Sequence, residues 1–216
     1  RDLHSFPTRR SSDLYSSYSA GILEALETID ARFHRIVAEH MALLPNSGVY
    51  IGAVPLTQLD DLRTHLIGNP SGDWAAVDGA TWDAVNGAYH GGSRVMGVSL
   101  SENAFSRGMG KATAVHEFGH ALDDALKKVS QAQEWYDIHQ QVLKDTTHLS
   151  PHFNRDNASG RSELWAESFY LWHAWQGDRD GFYRAYASAF GLDLFSPAVT
   201  SAWAHFDRIS TQRVPA

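Results

Sequence analysis

The chain has 216 residues, of which 43% are hydrophobic and 20% charged, with a formal net charge of −7 at pH 7 and no cysteine. This composition is that of an ordinary globular domain, and a mildly acidic chain without a Lys/Arg run lacks the electrostatic footprint of a nucleic-acid binder. No apolar run approaches the roughly 18 residues of a membrane span. The lack of cysteine excludes disulfides, thiol catalysis and cysteine-ligated metal.

The first fourteen residues differ in character from the rest. Residues 4–14 read HSFPTRRSSDL, which looks like the in-frame translation of a sequencing-adapter oligonucleotide rather than evolved protein. We therefore expect residues 1–14 to be an artefact outside the fold, as with other sequence scars. The alternative is a natural basic, Ser-rich tail. A single domain is expected over residues 15–216. Because such an adapter would replace the true start, a signal peptide or upstream domain could precede the visible chain.

The next segments mix helix and strand patterns. Apolar residues at helical spacing predict one amphipathic helix over 22–44, ended by the Pro-Asn-Ser-Gly at 45–48. Short β-rich runs predict strands at 48–54 and 94–100, with a second helix over 56–66 between them. The Gly-, Asp- and Trp-rich stretch 71–92 is compatible with one or two short strands, near 74–77 and 84–89.

After residue 100 the pattern is helical throughout. Helical segments are predicted near 111–129, 131–144, 161–175 and 179–190, with a possible fifth at 196–209. A small sheet followed by a helical half is an α+β layout.

One short motif carries chemistry. Residues 116–120 read His-Glu-Phe-Gly-His, and on a helix residues four apart lie on one face with their Cβ atoms about 5–6 Å apart. Two imidazoles placed in this way can both reach one zinc ion, at about 2.0–2.1 Å. The motif therefore predicts His116 and His120 as metal ligands, although a five-residue pattern can also occur by chance.

A catalytic zinc site needs a third protein ligand and one open position for water. Residues 162–169 read SELWAESF and place Glu163 and Glu167 four apart in an apolar helix. Glutamates are rarely buried without a partner, so we predict that Glu163 binds the ion. Glu167 would lie behind it and accept the spare N–H of a ligand histidine. The alternative is a solvated helix face with two carboxylates.

These two segments together resemble the catalytic domain of anthrax toxin lethal factor and its relatives. The similarity is strong over 114–124 and 162–169 and loose over roughly 48–174. It implies a zincin-like fold with zinc endopeptidase activity and one bound Zn²⁺. It also implies that His116, His120 and Glu163 are ligands, that Glu117 is the general base, and that the protein is secreted.

The sequence departs from this family in one respect. The family places a Tyr in the loop before the third ligand, whereas no Tyr occurs between Tyr136 and Tyr170 in this chain. His152 occupies the comparable loop and either replaces the tyrosine or is a surface histidine. Asp123, one turn after His120, is a second candidate to support a ligand, although capping or surface roles are open to it as well.

The predicted activity is hydrolysis of a peptide or protein substrate. Zinc lowers the pKa of a bound water to about 7, and Glu117 would take the water's proton and pass it to the leaving amine. An extended substrate would add to a sheet edge. We expect that edge to be the strand containing Val95, Met96, Gly97 and Val98, unless this strand is interior. The alternative function is a catalytically weak or inactive metal-binding module of a larger secreted protein.

Overall fold

The computed structural model describes residues 16–52, 54–59, 62, 66, 82, 85–99 and 109–211. It divides into two compact units, Arg1–Lys127 and Lys128–Ala216. The segment expected to be adapter-derived, the possible strand near 74–77 and much of the predicted helix 56–66 lie outside the described residues. The described start of that last segment is a short 3-10 turn, Leu56–Gln58. That residues 15–216 form a single domain stays a prediction.

The first unit begins with two helices where the sequence predicted one. Helix α1 spans Ser16–Glu27 and helix α2 spans Ala31–Met41. The break has a local cause, because Asp30 leaves helical geometry and its side chain accepts a hydrogen bond from the Arg32 backbone N–H at 2.7 Å. Asp at this position is a strong helix start signal. The apolar spacing continues across the break, so periodicity alone could not reveal it.

A three-stranded sheet follows, with strands β1 (Gly48–Gly52), β2 (Gly87–His90) and β3 (Val95–Ser99). Their order is β1-β3-β2, with β1 parallel and β2 antiparallel to β3. Strand β3 is therefore the central strand, and all five of its residues are buried. The expectation that Val95–Val98 offer a free edge to a substrate is wrong, because both sides of this strand already pair within the sheet.

Helix α3 (Met109–Ala125) completes the described part of this unit. It packs against β2 and β3 and against both α1 and α2. Such contacts on several sides explain why most of its residues are apolar or small, and Ala114, Phe118 and Ala121 are each 1% exposed or less. The chain turns at Lys127 and Lys128, which both have positive φ.

The second unit is helical within the part of the chain that the structure describes. It contains α4 (Gln133–Asp145), α5 (Ala158–Ala174), α6 (Arg179–Phe190) and α7 (Pro197–Thr211). These bounds agree with the predicted helices to within a few residues, and the α+β class is confirmed. Among the described residues, no helix has the length and apolar character of a membrane span.

Aromatic side chains form the core of this second unit. The Phe206 ring on α7 lies 5.2 Å from the Trp165 ring, 5.6 Å from Trp135 and 6.1 Å from Phe169, between ring centroids. All four residues are 1% exposed or less. Aromatic pairs at these separations add to the stability that burial provides. This packing fixes α5 in place against α4 and α7, and α5 is the helix that carries Glu163.

Candidate metal centre

The two histidines of the motif lie on α3 as the spacing predicted. Their ring centroids are 4.9 Å apart, with the rings edge to face at 77°. The neighbours Val115, Phe118 and Leu122 are buried by the packing of the helix, whereas both histidines are half-buried. One face of α3 therefore presents two imidazoles side by side, as a shared metal ion requires.

Glu163 lies in the second turn of α5. Asn157 caps the N-terminal end of this helix: its side chain accepts the Gly160 N–H at 2.9 Å and so satisfies a backbone donor that would otherwise lack a partner. Glu163 is half-buried, and the next two residues, Leu164 and Trp165, are fully buried. A carboxylate in this setting is partly removed from water, which is unfavourable unless a cation or a donor offsets it.

These three residues could hold a metal ion. His116, His120 and Glu163 each offer one ligand atom, and these atoms all lie within 4.8 Å of one another. Two imidazole nitrogens and one carboxylate oxygen form a ligand set found in catalytic zinc sites, with bonds of about 2.0–2.2 Å. The donor set therefore fits zinc, and the separation of the three atoms is compatible with one shared ion.

Glu117 follows the first histidine and faces the sheet. It is only 8% exposed. A Cβ atom built on Gly87 of β2 would lie 2.8 Å from its Cγ and 3.0 Å from its Oε1. The side chain therefore runs past the first residue of β2. Its role as the general base stays a prediction.

The remaining predicted site residues have different surroundings. Asp123 is 4% exposed, so it is not the surface residue that one alternative allowed, and Glu167 is half-buried. Burial, together with the charge of Glu167, raises the pKa of the nearby Tyr170 hydroxyl. The supporting roles of Asp123 and Glu167 stay predictions.

The loop between α4 and α5 contains His152, which is partly exposed. Its neighbour Phe153 is fixed in place, because its ring meets that of Phe190 at 5.3 Å. The carbonyl of Phe153 also lies 3.2 Å from Nε2 of the buried His139. Phe153 has no hydroxyl to offer and serves in packing, so His152 remains the candidate replacement for the family's tyrosine.

A polar cluster that the sequence did not indicate supports the C-terminal end of α3. Asp124 Oδ2 accepts a hydrogen bond from the Tyr89 hydroxyl at 2.9 Å and lies 3.0 Å from His40 Nε2. Burial and the adjacent carboxylate raise the pKa of Tyr89 far above its usual range, so it stays a donor. The cluster joins α2, β2 and α3. Its members are 35 and 84 residues from Asp124, so no local spacing could have indicated it.

Comparisons with known proteins identify the family and the fold. The family model described as "Anthrax toxin lethal factor, N- and C-terminal domain" matches residues 20–187. A similar solved structure is that of the Pro-Pro endopeptidase PPEP-2 from Paenibacillus alvei, at 20% identity and a TM-score of 0.62, covering 92% of this chain and 96% of that one. A sequence comparison with curated proteins finds no match. The chain belongs to the anthrax toxin lethal factor domain family, as the resemblance of its motifs predicted.

Proposed function

We propose that this protein is a zinc-dependent endopeptidase in which His116, His120 and Glu163 hold the ion and Glu117 is the general base. The observation that carries the proposal is the placement of three suitable ligand atoms within 4.8 Å of one another. Membership of the lethal factor domain family and the fold shared with an endopeptidase support it.

The chain's own residues account for the proton movements. When bound, zinc supplies Lewis acidity, which makes hydrolysis possible near neutral pH. The Glu117 carboxylate takes a proton from the attacking water as the new C–O bond forms. It then gives a proton to the amide nitrogen as the C–N bond breaks, so that a carboxyl and an amine end result.

The substrate is expected to bind as an added strand, but on β2 rather than β3. Within the described residues β2 pairs only with β3, and Ala88, Tyr89 and His90 are half-buried. The first residue of β2 lies against Glu117, so a peptide along this strand would pass close to the proposed base. Backbone hydrogen bonds give such complexes affinity, and side-chain pockets give them selectivity.

The test is a peptide-cleavage assay on a library that includes Pro-Pro bonds, because the similar solved structure is a Pro-Pro endopeptidase. A chelator should abolish cleavage, and added zinc should restore it. Glu117→Gln should retain zinc and lose at least about 100-fold in kcat, the usual scale of general-base catalysis. The matched control is Glu39→Gln, since Glu39 is exposed on α2, and it should cleave like the wild type.

Two results would contradict the proposal. Cleavage that persists in Glu117→Gln would remove the base from the mechanism, and cleavage that survives complete zinc removal would remove the metal. Zinc binding without cleavage of any peptide would instead favour the alternative of an inactive metal-binding module. The observation that favours this alternative is the absence of a tyrosine in the loop before Glu163, where the family places one.

A further inference from the structure

Gly87 occupies a position where space, not backbone conformation, requires glycine. It is buried, begins β2 and pairs with Val98 of β3. Its φ is not in the positive range, since the described glycines with positive φ are Gly48, Gly177 and Gly191. Any residue could therefore adopt this backbone. What a side chain would meet there is α3.

The crowding at this position comes from two residues one helical turn apart. A Cβ on residue 87 would lie 2.4 Å from Thr113 Cγ2, 2.8 Å from Glu117 Cγ and 3.0 Å from Glu117 Oε1. Non-bonded carbon atoms attract best at about 3.5–4.0 Å, so the contact to the Thr113 methyl is too short by at least about 1.1 Å and that to Glu117 Cγ by at least about 0.7 Å. Both side chains, or the strand itself, would have to shift. Glu117 is 8% exposed and has little free space around it.

From this geometry we infer that Gly87 is a positioning residue for Glu117: the missing side chain leaves the gap in which the glutamate lies. This inference rests on the proposed function, because it assigns the gap a purpose only if Glu117 is the base. Proton transfer needs the carboxylate within hydrogen-bond reach of the water. A displacement of about 1 Å can cost on the order of 100-fold in rate.

A side chain at position 87 would disturb Glu117 and leave the metal ligands in place. The three atoms nearest to a Cβ at position 87 all belong to Thr113 and Glu117, and none belongs to His116 or His120. Gly87→Ala should therefore lower kcat by about 10- to 100-fold while the zinc Kd and the KM change by less than about threefold. A loss of general stability would instead lower zinc affinity and the folded fraction together.

Two further variants separate displacement of Glu117 from simple overcrowding. Thr113→Ser removes the methyl group that lies closest, so Gly87→Ala/Thr113→Ser should regain most of the lost stability but keep the low kcat. Gly181→Ala is the matched control on α6, where a Cβ would lie 2.2 Å from Trp175 Cε3 and 2.5 Å from Asp178 Oδ2. It should lower the Tm and leave the kcat of the folded, zinc-loaded fraction unchanged.

The decisive readouts are the kcat of these variants and a crystal structure of Gly87→Ala or of the double variant. We expect the Glu117 carboxylate to be displaced by about 0.5–1 Å, because the contacts fall short of van der Waals separation by that amount. An unmoved carboxylate, or wild-type kcat in the double variant, would overturn the inference. If the wild type binds no zinc and cleaves no peptide, the proposed function fails. The position of the Glu117 carboxylate in Gly87→Ala, compared with the wild type, still tests whether residue 87 leaves the gap for this side chain.

Discussion

His205 should make the second unit sensitive to acid. It lies on α7, is 3% exposed, and its Nε2 lies 3.1 Å from the indole N–H of Trp165. Because that indole can only donate, Nε2 must accept, and the imidazole proton is on Nδ1, 3.4 Å from Glu134 Oε1. If Nε2 were protonated, its N–H would face the Trp165 indole N–H, and neither donor could accept a hydrogen bond from the other. Arg208, which pairs with Glu134, is the other charged group at this ring.

The size of this loss of folding stability follows from the pKa of His205. Burial lowers the pKa of His205 from 6.5 to about 4, and Glu134 offsets this only in part. The unfolded chain therefore takes up this proton near pH 6.5 and the folded chain only near pH 4. The contribution of His205 to the free energy of unfolding is therefore fully present above pH 6.5 and is lost as the pH falls towards 4. Each tenfold difference in proton affinity is about 1.4 kcal/mol, which gives a loss of about 2 kcal/mol at pH 5 and at most about 3 kcal/mol at lower pH.

The assay is urea unfolding of the wild type and of His205→Gln between pH 7.5 and pH 4.5. Glutamine can still accept the Trp165 indole N–H but does not titrate in this range. The wild type should lose about 2 kcal/mol more than the variant between pH 7.5 and pH 5. Replacement of the exposed His148 by glutamine controls for the loss of one histidine. Parallel pH dependence in wild type and His205→Gln would refute the reasoning.

Two further predictions concern the helix that carries Glu163. Phe206→Ala removes a fully buried ring from the aromatic core and should lower the free energy of unfolding in urea by about 3–5 kcal/mol. The control Phe195→Ala, at an 88% exposed position, should change it by less than about 0.5 kcal/mol. Equal effects of the two substitutions would contradict the packing described. Asn157→Ala removes the side chain that accepts the Gly160 N–H and should cost about 1 kcal/mol, measured in the same way. An unchanged unfolding midpoint would show that this cap contributes nothing.

The helical half and the metal motif could be predicted because their signals are local. The spacing of His116 and His120 needs only one helix, and the predicted bounds of α6 match the structure. The helix predicted over 22–44 was wrong at one point, because a single capping side chain, Asp30, ends one helix and starts the next. That capping interaction does not interrupt the apolar spacing.

Features set by tertiary contacts could not be predicted in this way. The composition of β3 is apolar whether it is an edge or a central strand, and only its pairing with both β1 and β2 decides between them. The gap at Gly87 depends on how closely β2 approaches α3. The sequence shows a glycine there, which is equally typical of a turn.

The central claim is that one zinc ion binds to His116, His120 and Glu163 together. Anomalous diffraction at the zinc absorption edge, from crystals of the zinc-loaded wild type, tests it most directly. The account predicts one strong peak about 2.0–2.2 Å from a nitrogen of each histidine and from a Glu163 carboxylate oxygen. A histidine pair without a peak, or a peak that the Glu163 carboxylate does not reach, would contradict it.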